Sequence, residues 1–167
     1  MRSKRFTLAF VLAAAVTAAV AVPAATATRD WTPFYPLLGS WSGSREGSDG
    51  RVSVSRDYES VAGNQHLHIT EKASKRQPWG LVSFDDASGA FVLRRFASDG
   101  GETVLVLEPV TGDGATLVFA SPPGVASGAE RITLERRGWD EFVERVEVAA
   151  QGTDFSLVAE TRFRRKR

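Results

Sequence analysis

Hydrophobic and polar residues alternate over short stretches of this chain, and that pattern is typical of half-buried β-strands. Within residues 51–60, Val52, Val54 and Tyr58 fall on one face of the expected strand, and most of the intervening residues are polar. Residues 103–107 present apolar side chains on both faces, which indicates a strand in the middle of a structure. No stretch after residue 40 carries a long apolar stripe with the helical period. The pattern therefore predicts an all-β protein.

Residues that favour tight turns separate the β-rich stretches. Gly, Asn and Asp cluster at short intervals, and these residue types suit hairpin connections because they tolerate positive φ or bond the local backbone. Ten runs lie between the clusters, at 41–46, 51–60, 64–73, 79–84, 90–97, 102–109, 115–120, 130–136, 140–149 and 154–164. Sequential strands with tight turns predict an antiparallel up-and-down β-barrel of about 8–10 strands, since closure removes the exposed edges. A β-sandwich made from the same strands is the alternative.

The segment before the first strand predicts one short helical turn. Phe34, Leu37 and Leu38 follow Pro33 at a spacing that places their side chains together on one side of a turn. A turn at this position would close one end of the barrel.

The first 27 residues have the pattern of a secretory signal peptide. Three basic residues lie within the first five positions, an apolar run follows from 6 to 22, and Pro23 ends it. Ala25-Thr26-Ala27 then supplies a small-x-small cleavage pattern. A permanent membrane anchor is the alternative, but the Ala-rich run is at the lower limit of about 17 residues for spanning a bilayer. We expect removal of 1–27, a single domain over 28–167, and export to the periplasm or the medium with no stable membrane anchor.

The first strand carries a family resemblance. Gly39-Ser40-Trp41 resembles the G-x-W motif of the calycin group, which includes lipocalins, fatty-acid-binding proteins and nitrobindin-like bacterial barrels, and residues 79–85 resemble the bacterial lipocalin-like members. The resemblance implies that Gly39 permits close chain approach and that the Trp41 ring fills the closed end. It also implies that an arginine of the last strand lies over that ring, and Arg162 or Arg164 matches this place, with Arg164 assigned to the motif.

The composition excludes several kinds of chemistry. The chain has no cysteine, which excludes disulfides, thiolate metal ligands and a thiol nucleophile. Lys and Arg total 21 against 20 Asp and Glu, so no overall charge directs the protein to nucleic acid, and we expect no such partner. A phosphate-binding loop, a dinucleotide fingerprint and a G-x-S-x-G nucleophile elbow are all lacking, and we assign no catalytic residue.

We also expect no cofactor. Nitrobindin-like barrels bind haem through a histidine near the C-terminus, and no histidine follows His68 in this sequence. Met1 is the single methionine, so no later methionine can replace that ligand. The departure from the family pattern makes haem binding an unfavoured hypothesis.

His66-Leu67-His68 is the most specific local pattern, because residues i and i+2 of a strand share a face. Both imidazoles could face solvent while Leu67 and Ile69 face the core, or both could face the lumen and bond a polar ligand. They could also form a metal site completed by a carboxylate of a neighbouring strand. Glu71 has the opposite parity and no third histidine exists, so we predict no metal site.

An arginine inside an apolar barrel needs a partner, because an unpaired buried charge is costly. The arginines to consider are Arg56, Arg94, Arg95 and Arg162. They could lie outside the barrel, bind a ligand carboxylate as the resemblance to fatty-acid-binding proteins implies, or pair with Glu141, Glu144 or Glu160.

Together these features predict a non-catalytic barrel that binds a small apolar or amphipathic ligand. A ten-stranded barrel is wide enough to hold a ligand. The residues expected to line its interior are Val52, Val54, Leu105, Leu107, Phe155 and Leu157, and those expected to orient a polar head group are Tyr58, His66, His68 and Arg162. The alternatives are a lumen-active enzyme such as a cyclase or isomerase, a metal-binding barrel, and a partner-binding barrel with a collapsed interior.

Overall fold

Ten antiparallel strands close into one barrel in a computed structural model of the chain. It describes residues 29–47, 50–73, 77–112, 114–125, 128–151 and 154–167, and the expected leader at 1–27 lies outside them. The strands are β1 (Gly39–Gly47), β2 (Gly50–Val61), β3 (His66–Ala73), β4 (Trp79–Asp85), β5 (Ala90–Phe96), β6 (Glu102–Leu107), β7 (Thr116–Ala120), β8 (Ala129–Arg136), β9 (Glu141–Ala149) and β10 (Phe155–Arg165).

Each strand pairs with its neighbours in chain order, and β1 pairs with both β2 and β10. The prediction of an all-β up-and-down barrel is confirmed, and the sandwich alternative is wrong, because every strand belongs to one closed sheet. The pairing is shortest between β6 and β7, where the register contains two residue pairs, Val106 with Ala120 and Leu107 with Phe119. No helix in the described part of the chain is long and apolar enough to cross a membrane.

A short 3₁₀ helix, Thr32–Leu37, packs into the end of the barrel at which β1 begins, and we call this the closed end. Its Phe34 and Leu37 side chains are buried. The Phe34 ring contacts the Phe91 ring of β5 at 4.9 Å between centroids. The predicted helical turn that closes one end of the barrel is confirmed. The opposite end, where β3 leads into β4, we call the far end.

Trp41 fills the closed end, as the G-x-W motif implies. Its side chain is 2% exposed, its indole Nε1 donates to the Leu37 carbonyl at 2.7 Å, and its ring packs against Phe142 of β9. Gly39 has a φ of +109°, and a Cβ there would lie 3.0 Å from an Arg165 nitrogen. Both the backbone conformation and the close approach favour glycine at this position.

The arginine over Trp41 is Arg165, not Arg164 or Arg162. The Arg165 guanidinium lies 4.3 Å from the Trp41 ring centroid, and the register pairs these two residues directly. Arg164 and Arg162 occur on the outer face of β10, where their side chains are 76% and 65% exposed near Glu141. The assignment of Arg164 is wrong by one position, and a shift of one residue reverses the face of a strand.

A β-bulge in β10 changes which of its residues face inward. The register with β9 shifts between Leu157 and Ala159, so one extra residue is inserted there. On the C-terminal side of the bulge Phe163 is fully buried. On its N-terminal side Leu157 is 56% exposed, and the Phe155 ring lies under the Arg131 guanidinium. The prediction that Phe155 and Leu157 line the interior is therefore wrong.

The remaining predicted inner positions follow the alternation. Val54 and Leu105 are buried in the core, and Leu107 packs against it. Val52 lies on the same face of β2 and is half-buried near the far end. Alternation therefore identified the inner face correctly along the uninterrupted strands.

Candidate functional site

Four charged side chains lie together inside the barrel, and we call them the ion network: Arg45, Arg56, Glu71 and Glu144. They come from β1, β2, β3 and β9, at positions where the alternation directs side chains inward. Arg56, Glu71 and Glu144 are 6%, 7% and 5% exposed, whereas Arg45 is half-buried. Full burial of three ionised groups requires close compensation of charge.

Arg56 is the centre of the ion network. Its Nε donates to Glu71 Oε2 at 3.1 Å, and its Nη2 donates to Glu144 Oε1 at 2.9 Å. Nη1 and Nη2 make additional, shorter contacts with Glu144 and Glu71. All three guanidinium nitrogens therefore have carboxylate partners. The plane of the guanidinium also lies over the Phe163 ring, 4.6 Å from its centroid.

Arg45 supplies the second positive charge. Its Nη2 lies 2.9 Å from a Glu71 oxygen and 3.9 Å from a Glu144 oxygen, and its Nε donates to the Thr161 hydroxyl at 3.2 Å. Two arginines then face two glutamates, and the network has no net charge. This balance is what permits its burial.

The ionisation of the network follows from these contacts. Burial is the largest single influence and would raise the pKa of Glu71 and Glu144, but the charges and hydrogen bonds of the neighbouring arginines, Arg56 foremost, together outweigh it and lower the pKa of both carboxyls. Burial would likewise lower the pKa of Arg56, but Glu144, Tyr58 and Glu71 together raise it well above its usual range. At neutral pH all of these groups are ionised.

Tyr58 lies beside the network and is 2% exposed. Its hydroxyl oxygen accepts a hydrogen bond from Arg56 Nη1 at 3.1 Å. Among the residues that the structure describes, no acceptor takes the hydroxyl's own proton. Burial raises the pKa of Tyr58 to about 12, so the phenol stays protonated and remains a donor.

A cavity of about 50 Å³ lies beside the ion network. Arg56, Tyr58, Glu71 and Glu144 supply the polar part of its lining, and most of the remaining lining residues are apolar: Phe34, Leu37, Leu67, Ile69, Val82, Leu93, Phe119, Ile132 and Leu134. The volume admits a few water molecules or one small functional group. Side chains therefore fill most of the lumen, which is narrower than strand number alone predicts.

The cavity continues to the far end. Pro78, Trp79, Gly80 and Arg95 complete its lining there. Arg95 forms an ion pair with Glu130 of β8 at this rim. A ligand with its head group in the cavity would have its remaining part at the rim.

Of the predicted head-group contacts, the structure places Tyr58 at the cavity. His66 and His68 lie on the outer face of β3, because Leu67 and Ile69 face inward and line the cavity. The His68 ring lies 6.0 Å from the Trp79 ring on that outer face. His66 is half-buried, and its Nδ1 has no partner within the described residues. The predicted lumen site therefore contains neither histidine, and it does not contain Arg162, which is exposed.

The geometry gives no support to the alternative of a metal site. No group of three or more His, Asp or Glu side chains that could hold a metal ion occurs within the described ranges.

The network itself was only partly foreseen from the sequence. Arg56 and its need for a carboxylate were recognised, with Glu144 among the candidate partners, but Arg45 and Glu71 were not. The available signal was parity, because Arg56 shares a face with Val54 and Tyr58, and Glu71 shares one with Ile69. An ionised residue at a position that alternation assigns to the core indicates a buried partner.

Comparison with known proteins shows the fold. No family model matches the chain, and no curated protein matches it by sequence. The crystal structure of Rv2717c from M. tuberculosis is similar, with a TM-score of 0.61 and 17% identity over 82% of this chain and 97% of that one. The S-type phycobiliprotein lyase CPES from Guillardia theta has a TM-score of 0.51 and 13% identity, over 80% of this chain and 90% of its own. The fold is a ten-stranded antiparallel barrel of the calycin or lipocalin-like kind.

Proposed function

We propose that this protein binds a small molecule in the barrel lumen, with a polar head group at Tyr58. The observation that carries the proposal is the Tyr58 hydroxyl, whose proton has no acceptor among the described residues and which lines the cavity. Buried polar groups in folded proteins are nearly always hydrogen-bonded. An oxygen atom of a ligand would complete this one.

The shape and polarity of the cavity agree with an amphipathic ligand. Its lining is mostly apolar with a few polar side chains, which is the usual composition of a small-molecule site. The 50 Å³ volume is far below the roughly 300–1,000 Å³ of a pocket for a drug-sized ligand. The head group therefore occupies the cavity, and the rest of the molecule extends past Arg95 toward the far end.

An acid–base enzyme has weaker support in the same lumen. A general base must be free to accept a proton from its substrate. Glu71 and Glu144 are held by Arg56, which lowers the pKa of each carboxyl. Both carboxylates are therefore poor proton acceptors, and binding without catalysis is the simpler function.

Native mass spectrometry of the protein purified from its own host tests the proposal. We expect a bound small molecule in the wild type and its loss or strong depletion in Tyr58→Phe, which removes the hydroxyl and keeps the ring. Tyr35→Phe is the matched control, because Tyr35 is 54% exposed on the 3₁₀ helix and does not line the cavity. A wild type that is empty, and that amphipathic probes do not stabilise against heat, would overturn the proposal.

We also propose that the protein is exported. The support is the leader pattern at 1–27 with its Ala25-Thr26-Ala27 cleavage signal. N-terminal sequencing of protein recovered outside the cytoplasm should begin at Thr28. An intact Met1 in a membrane fraction would favour an uncleaved anchor instead.

A further inference from the structure

We infer that the lumen selects an uncharged ligand, one that offers an alcohol, ketone or ester oxygen, and rejects the corresponding carboxylate. The inference rests on the proposed function and adds the chemical class of the ligand. It rests on three observations: Arg56 is already bonded to two carboxylates, the charges of the lumen balance, and Tyr58 offers a hydrogen-bond donor.

The position at which a carboxylate would bind is already filled. A guanidinium holds a carboxylate through its fork of N–H groups. In Arg56 every nitrogen of that fork contacts Glu71 or Glu144. A ligand carboxylate would have to displace one of these side chains, and the displaced charge would remain buried.

The charges around the cavity sum to zero. Arg45 and Arg56 face Glu71 and Glu144, and at the rim Arg95 forms an ion pair with Glu130. One more carboxylate would therefore be a net negative charge without a partner in a buried site, and burial of an unpaired charge is strongly unfavourable. A neutral oxygen adds no such charge.

The Tyr58 hydroxyl supplies what a neutral oxygen needs. Its proton has no acceptor among the described residues, and most of the residues that line the cavity around it are apolar. An ester or ketone oxygen can accept this one hydrogen bond while its alkyl part contacts the apolar lining. The site therefore offers one donor, no free cation and apolar surface.

Two probes that share an acyl chain test the inference. Methyl octanoate and octanoate differ in charge at neutral pH, and their dissociation constants can be compared by calorimetry. We expect the wild type to bind the ester at least about tenfold more tightly, the ratio that corresponds to roughly 1.4 kcal/mol. Tighter binding of octanoate would overturn the inference and leave the proposed function intact. Binding of neither probe would overturn the lumen-binding proposal and this inference with it.

Removing one negative charge from the lumen should weaken or abolish the preference for the ester. Glu144→Gln leaves Arg56 paired with Glu71 and gives the lumen one surplus positive charge. We expect octanoate to bind this variant about tenfold or more tightly than it binds the wild type. Glu141→Gln is the matched control, because Glu141 lies near Arg162 and Arg164 outside the barrel. This variant should prefer the ester over octanoate by the same ratio as the wild type.

Glu71→Gln provides the same test at the other carboxylate if Glu144→Gln does not fold, as judged by circular dichroism. An unchanged preference in the folded variant would show that the ion network does not set the selectivity, and would overturn the inference.

Discussion

Arg56 shows how a single residue determines the interior of this barrel. It lies at a position that alternation assigns to the core, and it neutralises Glu71 of the adjacent strand β3 and Glu144 of the distant strand β9. Its removal leaves both carboxylates buried beside Arg45 alone. The free energy of unfolding therefore depends on this side chain more than on any single surface charge.

We expect Arg56→Met to lower the free energy of unfolding by about 3–5 kcal/mol, because it breaks a buried ion network and leaves uncompensated charge. Urea unfolding measures the change. Arg94→Met is the control, since Arg94 is 49% exposed and pairs with Glu102 on the outer face, where a single ion pair contributes about 0–1 kcal/mol. Equal effects of the two substitutions would contradict the role assigned to the network.

The same residues predict how stability depends on pH. Burial opposes ionisation of Glu71 and Glu144, but the neighbouring arginines, Arg56 foremost, together outweigh it and hold the pKa values of both carboxyls below the ordinary 4.5. A carboxyl whose pKa is lowered by folding contributes stability at pH above 4.5 and loses it as the pH falls through the folded-state pKa. The melting temperature should therefore be steady near neutrality and fall steeply below about pH 4.5.

Glu71→Gln isolates the contribution of the network to this pH dependence. Several carboxyls outside the network, among them Asp85 and Glu135, also have lowered pKa values and titrate in both proteins. The difference in acid sensitivity between variant and wild type therefore reports on Glu71. A variant that loses stability in acid as steeply as the wild type would contradict the prediction.

At the scale of secondary-structure elements, the 3₁₀ helix is attached to the barrel through Arg165 of β10. This side chain donates to the carbonyls of Pro36 and Leu38 at 2.7 and 2.6 Å, and its guanidinium lies over Trp41. The first and last described elements of the barrel domain are thus joined at the closed end. The contact ties the helix to the sheet that it covers.

Arg165→Ala should lower the free energy of unfolding by about 2 kcal/mol, because charged hydrogen bonds and a cation–π contact are lost together. Arg164→Ala should change it by less than about 0.5 kcal/mol, since that side chain is 76% exposed. Thermal unfolding of both variants gives the comparison. The reverse order would restore Arg164 as the arginine of the motif.

Local pattern was sufficient for the fold and insufficient for the site. Alternation and turn residues predicted the strands because both signals are carried by neighbouring residues. The sequence pattern did not reveal the bulge near Leu157, because polar and apolar residues still alternate on either side of the inserted residue. The pairing of Arg56 with Glu144 spans 88 positions, and only the barrel register brings the two together.

The whole molecule is a closed sheet whose pairing is uneven. β7 forms five register pairs with β8 but two with β6, so the contact between β6 and β7 is the weakest connection around the barrel. Local opening of a folded protein begins in the regions that have the fewest contacts. The barrel should therefore open first between these two strands.

Amide hydrogen exchange measures this directly. The amide of Glu108, which donates to the Val118 carbonyl at 2.8 Å across this contact, should exchange faster than those of Phe142 and Phe163, which lie on the extensively paired β9 and β10. The physical reason is that fewer contacts are lost on opening. Uniform protection around the barrel would contradict the prediction.

The short β6–β7 pairing also bears on the behaviour of the protein at high concentration. Opening there would expose two strands, Glu102–Leu107 and Thr116–Ala120, that are rich in β-branched and apolar residues and carry one charge between them. Unpaired strands of this kind add to one another across molecules and begin aggregation. Gentle warming should therefore cause association before global unfolding, and Val118→Lys, which places a charge on the outer face of β7, should delay it.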